Sequence, residues 1–229
     1  MRNFTLMILA AGFGMRMESL TKNIPKPLLK INNSTLLTNT INFFENLGCK
    51  KFIINTHYLH ENLKDYINLK HPKKNIYLIY EPQILDTGGG VKNSIKYFDS
   101  KNFLVVNADI YWDESNINDV NNFIDIIDQF ESYFLLLSDQ KKTFGIERSY
   151  GDFVIHNDYV RRWMEDDPVI FFSGLQILNP KIFENFESTK FSMNKIWDKL
   201  ILAKKLKARI MKSKLFHIGD IKTFNKIIP

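Results

Sequence analysis

The first hydrophobic run of the chain, Phe4 to Leu9, is short enough for a buried strand and breaks at Ala10-Ala11-Gly12. After it the apolar positions change period. Leu37, Ile41, Phe44 and Leu47 recur at intervals of three and four, which predicts a helix from Leu36 to Leu47, closed by Gly48 as a C-cap. Phe52-Ile53-Ile54 predicts a second strand, Glu61 to Leu69 a second amphipathic helix, and Ile76 to Tyr80 a third strand. Strands alternating with helices over the first hundred residues predict an α/β fold: a mostly parallel sheet covered on both faces. Ligands in such sheets bind beyond the carboxyl ends of the strands, and the break after Leu9 is such an end.

Further along, a helix is expected from Val91 to Phe98, opened by Gly88-Gly89-Gly90. A hydrophobic strand follows from Phe103 and ends on Asn107-Ala108-Asp109. Asn116 to Phe130 has helical spacing, Tyr133 to Leu137 reads as a strand, and Lys141 to Asp152 is polar enough for a loop. Phe153 to Ile155, Tyr159 to Trp163 and Val169 to Leu178 predict antiparallel strands separated by turns at Asn157-Asp158 and Asp166-Asp167-Pro168. Pro180 starts a short helix. Phe191 to Lys204 is another, with Met193, Ile196, Trp197, Leu200 and Ile201 on its core side.

Composition narrows the class. At 229 residues, with 45% hydrophobic and 24% charged positions, the chain reads as one globular domain over 1–229. Its one cysteine, Cys49, leaves no intramolecular disulfide and fits a reducing compartment. No apolar run is long enough to cross a bilayer and no signal-cleavage pattern is present, so a soluble, cytoplasmic protein without membrane contact is expected. The net charge of +6 admits nucleic acid, an acidic surface or a phosphorylated substrate. Its basic runs, such as Lys50-Lys51 and Lys204-Lys205, are short and scattered, which suits solvated faces and argues against nucleic acid.

The candidate chemistry starts at the break after Leu9. Gly12 and Gly14 let backbone N–H groups approach a phosphate, and Arg16 and Lys26 supply positive charge. Pro25 and Pro27 stiffen the backbone on either side of Lys26; the plainer alternative is a solvated lysine in a proline-rich loop. Gly88 to Gly90 would let a planar ring lie against backbone, unless they form a flexible connector. Asp109, at the tip of a buried strand beside a small residue, suits a hard cation such as Mg²⁺, or else caps a turn. His57 and His60 lack a third ligand nearby and are expected in loop and cap roles. Gly174, inside a predicted strand, marks a close approach by a ligand or another backbone.

Leu9-Ala10-Ala11-Gly12-Phe13-Gly14-Met15-Arg16, then Leu20-Thr21, then Pro25-Lys26-Pro27-Leu28 resembles the signature of the sugar-1-phosphate nucleotidyltransferase family. The family usually has proline where this chain has Ser19, which predicts a slightly looser loop. Glu81-Pro82 with Thr87-Gly88-Gly89-Gly90 is similar to the family's nucleobase segment, and in particular to the small N-acetylmuramate-1-phosphate uridylyltransferases. The resemblance spans about residues 4 to 227 and implies a Rossmann-like three-layer α/β/α fold with a mostly parallel mixed sheet. It also implies a nucleoside triphosphate, UTP first, joined to a sugar 1-phosphate, N-acetylmuramate 1-phosphate first. On the same ground Arg16 and Lys26 are catalytic. Ala11, Gly12, Gly14, Glu81, Gly88 and Gly89 bind the nucleotide, and Asn107, Asp152 and Gly174 the sugar. Family members end on a strand followed by Asp-x-Gly, whose aspartate is a second metal ligand; here that position is His217, and Asp220 is expected to cap the last helix. Asp109 and His217 are therefore the candidate metal ligands, for Mg²⁺ or, with the imidazole, Mn²⁺. A monomer or weak dimer is expected. Hexose, heptose or phosphocholine acceptors stay open, and so does a nucleotide-sugar-binding protein with impaired turnover, which His217 motivates.

Overall fold

The computed structural model describes residues 3–128, 133–157, 159–184 and 186–227. Its strands begin with β1 (Phe4–Leu9), the short pair β2 (Lys30–Ile31) and β3 (Ser34–Thr35), β4 (Cys49–Thr56), β5 (Ile76–Tyr80), β6 (Phe103–Asn107) and β7 (Ile110–Tyr111). They continue with β8 (Tyr133–Asp139), β9 (Thr143–Phe144), β10 (Phe153–His156), β11 (Tyr159–Arg162), β12 (Ile170–Leu178), β13 (Leu206–Ile210) and β14 (Leu215–His217). The helices are α1 (Leu36–Asn46), α2 (His60–Lys70), α3 (Asp86–Ser94), α4 (Ile117–Ile124), α5 (Asn194–Leu202) and α6 (Ile221–Ile227).

Seven strands form the main sheet in the order β13-β8-β12-β6-β1-β4-β5. β12 runs antiparallel to both its neighbours and the other pairings are parallel, so the sheet is mostly parallel and mixed. Successive side chains of a strand point to opposite faces, and β1 shows the result. Leu6 and Ile8 join a core with Leu37, Ile41 and Phe44 of α1, Leu63 of α2 and Phe123 of α4. Met7, between them, packs on the other face with Val91 of α3 and Ile196, Trp197 and Leu200 of α5. Two helical layers therefore sandwich the sheet, the three-layer Rossmann-like arrangement that the family resemblance implied. A third, smaller cluster joins Met17, Leu29, Ile31 and Leu36 to Ile218 and Phe224, near the far end of the chain.

The topology fixes where a ligand belongs. From β1 the chain moves outward through β4 to β5, then crosses to the other side of β1 to lay down β6. The crevice beyond the carboxyl ends of β1 and β6 is thus the switch point of the sheet.

Several boundaries differ from the periodicity. The glycines at 88–90 lie inside α3 instead of opening a helix at Val91, and α3 gives way at Ile95 to a single 3-10 turn. The helix expected from Asn116 is α4, which ends at Ile124; residues 129–130 of that expectation lie outside the described residues. The polar stretch 141–152 contains β9, which pairs with β14. β10 and β11 form the expected hairpin; of its turn, Asn157 has φ 48°, and Asp158 lies outside the described residues. β12 is not part of that hairpin sheet but sits in the main one, since its apolar side chains are needed on both faces. α5 begins at Asn194, because Phe191 and Met193 are spent on core contacts ahead of it.

Candidate active site

The glycine turn after β1 is held shut from within. Met17 N–H donates to the Gly14 carbonyl at 2.8 Å, and Thr21 Oγ1 donates to the same oxygen at 3.0 Å. Gly14 has φ +67°, and a Cβ there would lie 3.1 Å from Thr21 Cγ2 and 3.2 Å from Lys26 Cβ. Only glycine fits both the left-handed backbone and the close approach of the Lys26 segment. From outside, the Tyr58 hydroxyl shares its proton between the Thr21 and Lys22 carbonyls, at 3.0 and 2.9 Å. The backbone break in this loop falls at Glu18 (φ 50°, ψ −122°), next to Ser19.

A cavity of about 370 Å³ opens at the switch point. Ala11, Gly12, Gly14, Arg16, Lys26, Glu81, Asn107 and Asp109 all line it, so eight of the residues singled out in the sequence converge there. Thr87, from the segment that resembles the family's nucleobase motif, lines it too, as do Ile84 and Asp86 of the same stretch; sequence reasoning missed Asn55. For Asn55 a signal existed: a polar residue directly after the apolar Phe52-Ile53-Ile54 run, at a strand's carboxyl end.

At the floor, Lys26 Nζ donates to Asp109 Oδ2 at 2.8 Å, with the two side chains 12% and 21% exposed. His217 Nε2 lies 3.3 Å from the same oxygen. The pairing of β14 with β7 sets His217 opposite Ile110, and Ile218 N–H donates to the Asp109 carbonyl at 2.8 Å. Burial would raise the Asp109 carboxyl, but the Lys26 ammonium and His217 outweigh it and hold the group well below the usual carboxylate range. Asp220 takes the expected capping role, accepting the Thr223 N–H at 2.8 Å.

Whether these residues suit a metal ion can be read from unused atoms. Asp109 Oδ1 is buried without a hydrogen-bond partner, while Oδ2 accepts from Lys26 Nζ and lies 3.3 Å from His217 Nε2. His217 Nδ1 lies 3.3 Å from the Gly145 carbonyl, so a neutral imidazole with its proton on Nδ1 would turn the Nε2 lone pair toward a cation shared with Asp109. The cavity wall carries Arg16 and Lys26 against Glu81, Asp86 and Asp109, too little positive charge for a polyphosphate. Among the described residues no group of three or more His, Cys, Asp or Glu side chains could hold a metal unaided. The pair thus fits a cation whose other ligands come from a bound phosphate and water.

Gly88 and Gly89 stand apart from the cavity. A Cβ on Gly88 would lie 2.4 Å from a Phe191 ring carbon, and one on Gly89 would lie 2.3 Å from the Thr189 carbonyl oxygen. Packing of α3 against 189–191 by itself excludes side chains there. Asp152 and Gly174 also lie outside the cavity wall. Asp152 accepts from Arg148 Nη2 at 2.6 Å and from the Phe172 N–H at 2.9 Å, which pins the hairpin to β12. A Cβ on Gly174 (φ +89°) would lie 2.8 Å from Ile110 Cγ1. His57 Nδ1 pairs with the Glu81 carbonyl and His60 Nδ1 with Thr56 Oγ1, loop and cap roles as expected.

The profile of the nucleotidyl transferase family matches residues 5–216. A D-glycero-alpha-D-manno-heptose 1-phosphate guanylyltransferase of Campylobacter jejuni is 31% identical over 106 residues, which is 46% of this chain and 48% of that protein. An N-acetylmuramate alpha-1-phosphate uridylyltransferase of Caulobacter vibrioides is 23% identical over 93% of this chain and 91% of its own length. Among solved structures, HddC from Yersinia pseudotuberculosis complexed with GMP-PN superposes with a TM-score of 0.79 at 27% identity, covering 98% of this chain and 97% of the other.

Proposed function

The chain belongs to the nucleotidyl transferase family, and on that footing we propose that it joins a nucleoside triphosphate to a sugar 1-phosphate, giving a nucleotide sugar and pyrophosphate. The observation that carries this reading is the convergence of the glycine turn, Arg16, Lys26 and Asp109 on one cavity at the switch point of the sheet.

A sugar phosphate oxygen forms a bond to the α-phosphorus while the bond from that phosphorus to the bridging oxygen breaks in line. The electron pair leaves with pyrophosphate. The attacking oxygen is already anionic at neutral pH, so no protein nucleophile or base is required, and catalysis rests on positioning and charge. Backbone N–H groups at Ala11, Gly12 and Gly14 serve the nucleotide, Arg16 the leaving pyrophosphate, and Lys26 the α-phosphate and the incoming phosphate. A phosphate arriving beside Lys26 competes with Asp109 for the ammonium. Asp109, through its unpartnered Oδ1, and His217 would hold a divalent cation, which supplies positive charge against the phosphate oxygens.

Uridine and N-acetylmuramate 1-phosphate are the favoured base and acceptor, supported by the Caulobacter relative that matches over nearly the whole chain. Guanosine with a heptose 1-phosphate is the second reading, supported by the Campylobacter relative and by the GMP-PN complex. A pyrophosphate-release screen of UTP, GTP, CTP, ATP and dTTP against both sugar phosphates, glucose 1-phosphate and phosphocholine, with Mg²⁺ and with Mn²⁺, tests this. Turnover with UTP and N-acetylmuramate 1-phosphate is expected. Preference for GTP and heptose moves the assignment to the second reading, and silence with every pair and both ions sinks the transfer reaction.

A further inference from the structure

We propose that Asn55 and Glu81 form a positioning strut that sets the glycine turn and the start of α3 at the spacing a nucleotide needs. The inference rests on the nucleotide reading of the cavity. Asn55 is opposite Leu9 in the last pair of the β1–β4 register, so the Ala10 N–H lies just past the ladder and needs another partner. Asn55 Oδ1 supplies it at 3.0 Å. The other end of the same amide, Nδ2, donates to Glu81 Oε1 at 2.8 Å. Glu81 Oε2 in turn accepts the Leu85 N–H at 3.1 Å, immediately ahead of α3. One relay, Ala10 to Asn55 to Glu81 to Leu85, therefore joins the turn after β1 to the first residue before the helix that walls the cavity.

Both side chains are almost fully buried, Asn55 at 3% exposure and Glu81 at 1%. A carboxylate at that depth is costly unless its hydrogen bonds are made. No lysine or arginine pairs with Glu81 among the described residues; amide donors satisfy it instead. The fold makes room for this contact at a cost in helix propensity. A Cβ on Gly90 would lie 2.7 Å from Asn55 Nδ2 and 2.9 Å from Glu81 Oε1, so the helix carries a third glycine where the strut passes. Glu81 belongs to the site as a positioning residue, with both oxygens already engaged on protein donors.

The relay has a donor–acceptor polarity, and that makes it testable by exchange. Glu81→Gln places an NH₂ against either the Asn55 amide or the Leu85 N–H, a donor facing a donor in both flips. Asn55→Asp places two carboxylates in contact. In the double variant Asn55→Asp/Glu81→Gln every bond can be remade with the same net charge: the aspartate accepts from Ala10 N–H and from the glutamine NH₂, and the glutamine oxygen accepts from Leu85 N–H.

Amide hydrogen exchange at Ala10 and Leu85, triphosphate affinity by calorimetry, thermal melting and the KM of each substrate are measured for the wild type and the three variants. Each single variant should exchange both amides faster, bind UTP or GTP roughly tenfold or more weakly, and raise the triphosphate KM more than the acceptor KM. The double variant should move all of these back toward wild type, including the fold itself if a single variant fails to fold. Single variants with unchanged exchange and affinity overturn the strut, and so does a double variant no better than the worse single one. A wild type that binds no triphosphate and releases no pyrophosphate brings down the reading of the cavity, whereas amide exchange, which needs no ligand, still decides the relay.

Discussion

Replacing Lys26 by methionine removes a charge from the reaction and, at the same time, strands a carboxylate. At 2.8 Å the Lys26–Asp109 attraction amounts to about 6 kcal/mol at an effective dielectric of about 20, before desolvation of both groups is set against it. Breaking a fully buried pair from one side typically costs about 3–5 kcal/mol. Here both side chains keep some exposure and His217 still faces Asp109, so about 2–3 kcal/mol is expected. For a chain of this size that is a fall in Tm of about 5–10 °C. Turnover should drop about a hundredfold or more, near 3 kcal/mol, because a preorganised cation no longer faces the transferring phosphorus. Linkage gives a second signature. The wild-type Asp109 carboxyl is depressed, so its stabilisation is present above the unfolded carboxylate range, near 4, and is lost as pH falls through the folded value. In Lys26→Met the largest remaining influence on that carboxyl is burial, which raises it, so the sign reverses and the variant should become less stable as pH rises from 3 to 6. Urea melts across that range and pyrophosphate release at neutral pH measure both. Adding Asp109→Asn should recover stability but not turnover. A variant that melts like wild type at every pH refutes the energetic argument, and one that keeps full turnover removes Lys26 from the mechanism.

His217→Asp should raise Mg²⁺-dependent turnover, and wild type should gain disproportionately from Mn²⁺, because imidazole prefers first-row transition ions to Mg²⁺; equal Mn²⁺/Mg²⁺ rate ratios in the two proteins would detach His217 from the metal. Gly89→Val should unfold or strongly destabilise the protein, by about 2 kcal/mol or more, since its Cβ would lie 2.3 Å from the Thr189 carbonyl; an unchanged thermal melt with weakened triphosphate binding would instead point to a base at that face. Burial pushes the Cys49 thiol up to about 12, so at pH 8 it stays protonated. It should therefore be inert to a thiol-specific chromogen in the native state and react with one equivalent in urea; rapid native labelling would contradict the packing around β4.

The sheet and its carboxyl-end cavity were readable from the chain because Phe4–Leu9 and Phe52–Ile54 are short, continuous apolar runs while Leu37–Phe44 between them has a helical period. Arg16, Lys26 and Asp109 were readable for a related reason: glycines, prolines and a strand-end acid restrict backbone in ways that leave a mark on sequence. Gly88 and Gly89 are ambiguous in sequence, since a glycine demanded by helix packing, as the contacts with 189–191 require, looks the same as one demanded by a ligand. β13 is easily passed over although Leu206-Lys207-Ala208-Arg209-Ile210 alternates strictly, because with Lys207 and Arg209 exposed it reads as continuing the polar Lys204-Lys205 segment. Asn55 was invisible as part of a relay because its partners, Ala10 and Glu81, are 45 and 26 residues away.

The small cluster that joins Met17, Leu29, Ile31 and Leu36 to Ile218 and Phe224 has a consequence in time. At about 5–20 residues per second, a ribosome takes roughly 10–40 s between making the first of these residues and the last. Throughout that interval the segment bearing Arg16 and Lys26 has Leu29, Ile31 and Leu36 to pack on but lacks Ile218 and Phe224, and His217 has not yet been made. The nascent chain can lay down β1, α1 and β4 early, yet His217 joins Lys26 and Asp109 only about 190 residues after Lys26 is made, roughly 10–40 s later. Until then the side of Met17, Leu29, Ile31 and Leu36 that Ile218 and Phe224 will cover is apolar surface that a chaperone can grip.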